Sequence, residues 1–170
     1  MKKILSLVLA LVMMLGCSAV GAEEEAPELP ELYRSDFTLE NADGWYGNNC
    51  TGEVVDDGAA YAVSGRTLGW QAPNRVFPLK PGVEYKVSVQ VYQEAMDVAI
   101  FMISAAQDGA NWVNIVAAEV PKGEWTTIEG VFTPGEFSEF ILYVETDDDA
   151  KTIDFKICEF VICGPEDGLA

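Results

Sequence analysis

The sequence predicts an all-β protein, a two-sheet antiparallel β-sandwich of the jelly-roll type. From residue 32 onward, no amphipathic run of helical period exceeds two turns, whereas short runs of period two or of continuous apolar residues recur. Gly, Pro, Asn and Asp bound these runs at the spacing of roughly nine to ten sandwich strands. With 170 residues, including a removable leader, the chain is expected to form one compact domain.

The first predicted strands are short, and the fourth is the most regular. Residues 36–39, 52–55 and 59–63 are brief strand-like runs between segments rich in Gly, Asp and Asn. Residues 85–92 carry valine at alternate positions and follow a Lys-Pro-Gly turn at 80–82. This alternation predicts a strand with one face in the core.

Five further strands are predicted in the second half. They are 98–103, 112–119, 125–132, 139–145 and 153–162. The first is continuously apolar, and turns rich in Gly and Pro separate the first four. The Asp triplet at 147–149 is expected to form the tip of a hairpin that leads into the last strand.

Residues 1–22 have the pattern of an export signal. A charged start precedes the apolar run 4–15, which is too short for a permanent anchor. Two processing sites remain open, since residues 20–22 suit ordinary signal peptidase, whereas Leu-Gly-Cys ending at Cys17 resembles a bacterial lipobox. Either interpretation predicts a bacterial protein that is secreted or held on the outer surface, with membrane contact only through a lipid on Cys17.

The rest of the chain divides into three predicted parts. Residues 23–31 are acidic, carry two prolines and predict a solvated tether. Residues 32–164 form the β-sandwich, and residues 165–170 form a tail.

Charge and composition exclude several classes of function. The chain has 28 acidic and 10 basic residues and no histidine, which argues against nucleic acid or an anionic membrane as partner. Without histidine there is no Ser-His or Cys-His dyad, and a glycosidase pair of carboxylates is neither indicated nor excluded. We therefore expect a monomeric, non-catalytic protein with a neutral ligand and no required cofactor.

The cysteines of the predicted domain are an odd set. They are Cys50, Cys158 and Cys163. Strict alternation would put Cys158 and Cys163 on opposite faces of one strand, so their mutual pairing is not implied. No CxxC or Cys/His spacing of a zinc site is present.

Two strands carry an aromatic residue followed two positions later by a polar one. Tyr143 and Glu145 alternate with an apolar set that should face the core, and Trp112 and Asn114 repeat the arrangement. A rigid aromatic plate beside hydrogen-bonding groups suits a sugar ring, which has C–H groups on one face and hydroxyls around its rim. The pattern predicts a carbohydrate-binding surface.

Four segments extend this prediction to a family. They are Ser-Gly-Arg-Thr-Leu-Gly-Trp at 64–70, the Pro-Gly-x-x-Tyr stretch within 79–88, Gly-x-Trp within 122–130, and Leu-Tyr-Val-Glu at 142–145. Together they resemble the carbohydrate-binding modules of family 22 and the wider cenC-like group with families 4 and 9. The resemblance covers roughly residues 36–162.

The resemblance implies a groove across the concave sheet that binds xylan or mixed-linked β-glucan. Its aromatic contacts correspond to Trp70, Trp112 and Tyr143, and its acidic contact to Glu145. An arginine that the family has shortly after Gly-Trp is replaced by residues 46–49, Tyr-Gly-Asn-Asn.

The resemblance also implies a structural calcium site, to which the family's closing strand contributes through Ile-Asp-Asp-Val. Here the strand reads Ile-Cys-Glu-Phe at 157–160, so the metal is left open.

Other candidate side chains have competing interpretations. Arg66 and Gln90 are candidate ligand contacts, although an ion pair of Arg66 with a carboxylate that orders its loop is the stronger interpretation for that residue. Trp125 and Phe132 are assigned to the core, because their strands offer no polar companion on the same side. Trp45 follows Asp43-Gly44 and is expected to pack in the core under the first loop.

Two functions follow from these observations. The first is an exported, non-catalytic module that binds β-linked polysaccharide, either as a capturing protein on the cell surface or as an accessory to separately secreted glycoside hydrolases. The second is a structural or protein-interaction β-sandwich that has lost sugar binding, which the missing arginine favours.

Overall fold

The computed structural model describes residues 29–170, which form two antiparallel sheets around a shared core. The strands are β1 (Glu31–Arg34), β2 (Tyr46–Asn48), β3 (Thr51–Val55), β4 (Ala60–Ser64), β5 (Ala72–Phe77), β6 (Tyr85–Gln93), β7 (Val98–Gln107), β8 (Asn111–Pro121), β9 (Thr126–Phe132), β10 (Phe140–Thr146) and β11 (Phe155–Cys163). Short 3-10 segments lie at Glu40–Gly44 and Asp56–Gly58. The predicted all-β sandwich is confirmed.

The two sheets differ in strand order. The six-stranded sheet runs β3-β4-β11-β6-β9, with β1 paired to β11. The five-stranded sheet runs β2-β5-β10-β7-β8. Most neighbours in each sheet are distant along the chain, so the predicted single domain is held together by long-range pairing.

The core lies between the inner faces of the sheets. Phe101 of the five-stranded sheet meets Phe155 of the six-stranded sheet edge to face, with ring centroids 5.0 Å apart. Trp45 packs in the same way on Phe160 at 4.9 Å. Trp45 and Phe132 are both buried, so their assignment to the core is confirmed. Such aromatic pairs add to the stability that apolar burial gives.

The prediction of a strand at 36–39 is wrong. The side chain of Asp36 accepts hydrogen bonds from the backbone N–H and the hydroxyl of Thr38, which forms a local turn in place of a ladder. The first strand is instead β1, whose Glu31 pairs with Cys163. Glu31 therefore belongs to the sandwich and not to the tether.

Two strands were not predicted, and one hairpin is absent. Neither β2 nor β5 was predicted, because both are short and Pro73 interrupts the second. The acidic segment 147–149 does not turn back within one sheet, since β10 and β11 lie in different sheets. It crosses between them and is fixed by Asp147 Oδ1, which accepts from the Ala150 N–H at 3.0 Å.

Trp125 is not a core residue. It precedes β9, is 43% exposed, and packs in a tilted arrangement on Tyr92 of the six-stranded sheet at 5.3 Å between ring centroids. Counted back from the buried Phe132 and Ile128, alternation puts position 125 on the outer side of the strand, so the assignment to the core is wrong.

The chain end and the cysteines also differ from expectation. The segment 165–170 is packed on the domain, since Gly168 O accepts from the Tyr85 hydroxyl and Leu169 bridges to Leu79. Among the described residues, Cys50, Cys158 and Cys163 form no disulfide.

A bulge in β11, where Glu159 has φ of 46°, changes the alternation between the last two cysteines. Cys158 and Cys163 therefore share the outer face of their strand instead of facing opposite ways. Their partners on β6 are Gln90 and Lys86, four positions or about 13 Å apart, which is beyond disulfide range.

The predicted export signal lies outside the described residues. Within residues 29–170, no helix combines the length and the apolar character that crossing a bilayer requires.

Candidate functional site

The outer face of the five-stranded sheet forms a groove with a volume of about 760 Å³. Its aromatic walls and floor are Trp70, Trp112 and Tyr143. Four polar side chains also line it, namely Asn48, Asn74, Asn114 and Glu145. The structure thus brings together five of the seven predicted site residues.

The register of the sheet explains why these side chains meet. Tyr46, Asn74, Tyr143, Ser104 and Asn114 are successive partners across the five strands. Side chains directly opposite each other share a face of a sheet, so this row lies on the groove side. Tyr143 is at its centre.

A β-bulge sets the direction of the eighth strand. Ile103 pairs with Val116 but Ser104 pairs with Asn114, so Ile115 is an extra residue. Strict alternation from the buried Val120 would send Trp112 and Asn114 toward the core. The bulge reverses the alternation and turns both onto the groove face.

The two tryptophans are the accessible aromatic surfaces of the groove. Trp70 is 48% exposed and Trp112 is 69% exposed, whereas Tyr143 is only 7% exposed. Tyr143 therefore forms the floor. Burial, and secondly the nearby Glu145 carboxylate, raise the pKa of Tyr143, so its hydroxyl stays protonated and able to donate at neutral pH.

Glu145 is a mostly buried carboxyl group on the groove floor. The hydroxyl of Ser104 donates to its Oε1 at 2.6 Å. Burial raises the pKa of Glu145 above its usual range, while the Ser104 bond and the positive charge of Arg66 oppose this shift. Glu145 can accept hydrogen bonds from ligand hydroxyls.

Arg66 supports the groove from behind and does not line it. Its guanidinium is buried and donates to the carbonyl oxygens of Gly69 and Gln71, each at 2.6 Å, and to Thr146 Oγ1 at 2.7 Å. Further bonds reach the carbonyls of the crossing segment, Ile153 at 3.3 Å and Ala150 at 3.5 Å. The expected ion pair with a carboxylate is thus replaced by backbone carbonyls.

The loop that carries Trp70 is held very close to the end of β10. A Cβ at Gly69 would lie 2.3 Å from the carbonyl oxygen of Thr146, so only glycine permits this approach. The Thr146 N–H donates to Gly69 O at 3.3 Å. Arg66 and Gly69 together fix the position of Trp70.

Gln90 is on the other sheet. It belongs to β6, and its Nε2 donates to Glu159 Oε2 at 2.8 Å. The sequence correctly predicted that Gln90 faces outward, but alternation does not indicate which sheet a strand joins. The structure does not place Gln90 in the groove.

Several residues of the groove and its floor were not predicted from the sequence. Asn48 and Asn74 lie on the two strands that were not predicted. Ser104 and Met102 lie in a nearly continuous apolar strand, where no alternation marked their face. The pattern Ala-Pro-Asn-Arg-Val at 72–76 does not alternate between apolar and polar residues, so no signal marked Asn74.

The calcium site that the resemblance implies would need a cluster of oxygen ligands. Within residues 29–170, no three Asp, Glu, His or Cys side chains are placed to hold one metal ion. Glu159 of the closing strand is engaged with Gln90 and with Arg34.

Comparisons with known proteins identify a carbohydrate-binding family and a xylanase as similar. A family model for a carbohydrate binding domain, covering families 4 and 9, matches residues 31–151. Endo-1,4-beta-xylanase A of Thermoanaerobacterium saccharolyticum is 30% identical over 142 residues, a match that spans 75% of this chain and 12% of the xylanase. The chain thus corresponds to a small part of that relative.

Solved structures share the fold at low identity. The CBM22-1 and GH10 modules of Clostridium thermocellum xylanase 10B, complexed with xylohexaose, are 24% identical with a TM-score of 0.69, over 82% of this chain and 29% of that one. The CBM22-1 xylan-binding domain of Paenibacillus barcinonensis Xyn10C is 18% identical with a TM-score of 0.69, over 82% and 97%. Solved CBM22 domains thus share the fold of this chain. Because the family model matches well over half of the residues of the chain, the chain belongs to the carbohydrate-binding domain family that this model describes.

Proposed function

We propose that the protein binds a β-linked polysaccharide, xylan or mixed-linked β-glucan, in the groove without changing it chemically. The observation that carries this proposal is the placement of two exposed tryptophans on one groove whose floor is polar and largely buried. Aromatic plates supply contact area for sugar C–H faces, while the floor bonds the hydroxyls.

The length of the groove suits a chain better than a single sugar. The Trp70 loop meets Thr146 at one end of β10, whereas Trp112 shares a row with Ile141 through Ala106. Along the strands these points are about 17 Å apart, and across them about 10 Å. The tryptophans therefore stand at diagonal corners of the site, where they can contact different sugar units.

Binding by such a site is expected to be weak. Two stacking contacts at roughly 1 kcal/mol each and a few net hydrogen bonds at about 1 kcal/mol give on the order of 4 to 6 kcal/mol. This corresponds to dissociation constants from about millimolar to tens of micromolar. Weak binding is sufficient on a polymer, because neighbouring sugars and a surface tether raise the effective concentration.

The groove lacks the acidic pair that hydrolysis of a glycosidic bond requires. Among the described residues that line it, Glu145 is the single carboxylate. Glycosidases use two, separated by roughly 5 to 10 Å across the scissile bond. A capture role beside separately secreted hydrolases follows, and export is supported by the pattern of residues 1–22.

Affinity electrophoresis of residues 23–170 tests the proposal. The protein is run through gels that contain xylan, barley β-glucan or no polymer, beside Trp70→Ala, Trp112→Ala and Trp125→Ala. Trp125 is the matched control, since it is as exposed as Trp70 but lies by the six-stranded sheet. We expect retardation that is lost in the first two variants and kept in the third. No retardation by any polymer of a broad panel would favour the interaction-module alternative.

A further inference from the structure

We propose that Asn74 sets which sugars the groove accepts: its Oδ1 takes a hydrogen bond from a free hydroxyl of the bound chain, so a sugar esterified there is excluded. This inference depends on the proposed function of the groove and adds a requirement about the ligand. It concerns a residue on a strand that the sequence did not predict.

Asn74 carries an unsatisfied acceptor at the groove. Its side chain lines the groove, the residue is 6% exposed, and its Oδ1 has no hydrogen-bond partner among residues 29–170. Buried acceptors in proteins are satisfied by protein groups, by water or by a ligand. Because Oδ1 is already shielded from water in the free protein, a ligand hydroxyl that donates to it makes a bond that bulk water does not make, whereas an ester group leaves it unsatisfied.

A second acceptor lies on the neighbouring strand. Asn74 pairs with Tyr143, and Glu145 is two positions further along β10, so Glu145 is its diagonal neighbour at about 7–8 Å. Ser104 donates to one carboxylate oxygen of Glu145, and a carboxylate has further acceptor sites. Both strands thus present acceptors to the same part of the ligand.

Two acceptors of this part of the groove can take hydrogens from a ligand, namely Asn74 Oδ1 and the Glu145 carboxylate. Among the described lining residues there is no Lys or Arg, the Nδ2 of Asn114 is directed to Met102 Sδ at 3.1 Å, and the Tyr143 hydroxyl is a donor beside them. A free sugar hydroxyl can donate to these acceptors. An acetyl ester has no hydrogen to donate and is bulkier than the hydroxyl it replaces, so acetylated sugars are excluded from this position.

This requirement places the binding event in a reaction order. Where a polysaccharide is acylated at the hydroxyls that meet Asn74 and Glu145, hydrolysis of the ester must come first. An esterase would supply the ligand, and glycoside hydrolysis nearby would consume it.

Calorimetric titration with paired ligands tests the inference. One preparation of acetylated xylo-oligosaccharides is divided, and half is deacetylated with alkali; for a groove that prefers β-glucan, partly acetylated cello-oligosaccharides form the pair. We expect the wild-type protein to bind the deacetylated half at least about tenfold more tightly, a difference of about 1.4 kcal/mol. Asn74→Leu, of similar size, should lose most of this preference.

Two further measurements test whether a lost preference in Asn74→Leu comes from the missing acceptor or from a disturbed fold. The unfolding temperature of Asn74→Leu should be unchanged or higher, since a buried unpaired acceptor has been removed. Gln90→Leu makes the same change on the other sheet and should keep the full preference. Should leucine disturb the fold, Asn74→Ala replaces it.

The outcomes distinguish this inference from the function on which it depends. If wild-type protein binds neither half nor any neutral polymer, the proposed function fails. If wild-type binds the deacetylated half but Asn74→Leu, or Asn74→Ala in its place, keeps the full preference, the groove function stands and the role of Asn74 is refuted.

Discussion

The Ser104 hydroxyl donates to Glu145 Oε1 at 2.6 Å, across the pairing of β7 with β10. This bond ties a groove carboxyl to the centre of the five-stranded sheet. Arg66 adds a positive charge from behind the floor, and burial has the larger, opposite effect on the pKa of Glu145. Protonation of Glu145 therefore affects both the binding surface and the stability of the fold.

Glu145→Gln should alter the pH dependence of stability. Because the folded pKa of Glu145 is raised above its ordinary value of 4.5, the folded state holds its proton more tightly than the unfolded state does. This group therefore contributes stability below pH 4.5, and that contribution is lost as pH rises through the folded pKa. Urea unfolding between pH 4 and 7 should show Glu145→Gln gaining stability relative to wild type as pH rises.

A binding measurement accompanies this comparison. Glutamine keeps an acceptor for Ser104 but removes the charge that strengthens bonds to ligand hydroxyls, so affinity should fall about three- to tenfold. Glu129→Gln, an exposed carboxylate paired with Lys86 on the other sheet, is the control. A Glu145→Gln difference from wild type that stayed flat with pH would contradict the assignment.

Arg66→Lys should weaken both the fold and the groove. Lysine has three donors on one nitrogen and cannot reach the carbonyls of Gly69 and Gln71 and the Thr146 hydroxyl together. Leaving buried acceptors unpaired costs about 2–4 kcal/mol in the free energy of unfolding. Denaturant unfolding measures this loss, and gel retardation well below the midpoint should show weaker binding, because the Trp70 loop is no longer fixed.

The exposed Arg34 provides the comparison for Arg66. It bonds Glu31 and Glu159 at the surface, so Arg34→Lys should change stability by less than about 1 kcal/mol. Equal effects of the two substitutions would show that Arg66 is not the organising group of its loop.

Deleting Ile115 should remove the bulge and keep the groove. Without this extra residue, Asn114 follows Val116 directly, so regular alternation from Val120 still turns Asn114 and Trp112 to the groove side. We expect polymer retardation to be kept. Ile115→Ala keeps the extra residue and should also keep binding. Loss of polymer binding by a folded deletion variant would contradict the view that Ile115 only restores the alternation.

The sequence predicted the fold class and most of the groove because both depend on alternation. Tyr143 and Glu145 alternate with Phe140, Leu142 and Val144, and the structure buries all three apolar side chains. Trp112 and Asn114 were also assigned to the groove side, although strict alternation from Val120 would put them toward the core. The assignment is correct only because of the bulge, which the local sequence does not indicate.

The remaining differences depend on pairing between distant segments. Which sheet holds Gln90 is set by the pairing of β6 with β9 and β11, and a sequence pattern carries no such information. Asn74 was missed because its strand is stabilised by β2 and β10 and not by its own propensity. Arg66 was expected to meet a carboxylate, whereas loop carbonyls surround it.

Tyr143→Phe should separate the two contributions of the groove floor. Phenylalanine keeps the ring that fills the floor beside Ala72 and Ala106, so the free energy of unfolding should change by less than about 1 kcal/mol. It removes the hydroxyl, so affinity for polymer should fall about two- to tenfold if that group bonds the ligand. Tyr143→Ala, by contrast, leaves a cavity and should cost about 3–5 kcal/mol. Calorimetric titration beside denaturant unfolding gives both quantities, and unchanged affinity in Tyr143→Phe would restrict the role of Tyr143 to packing.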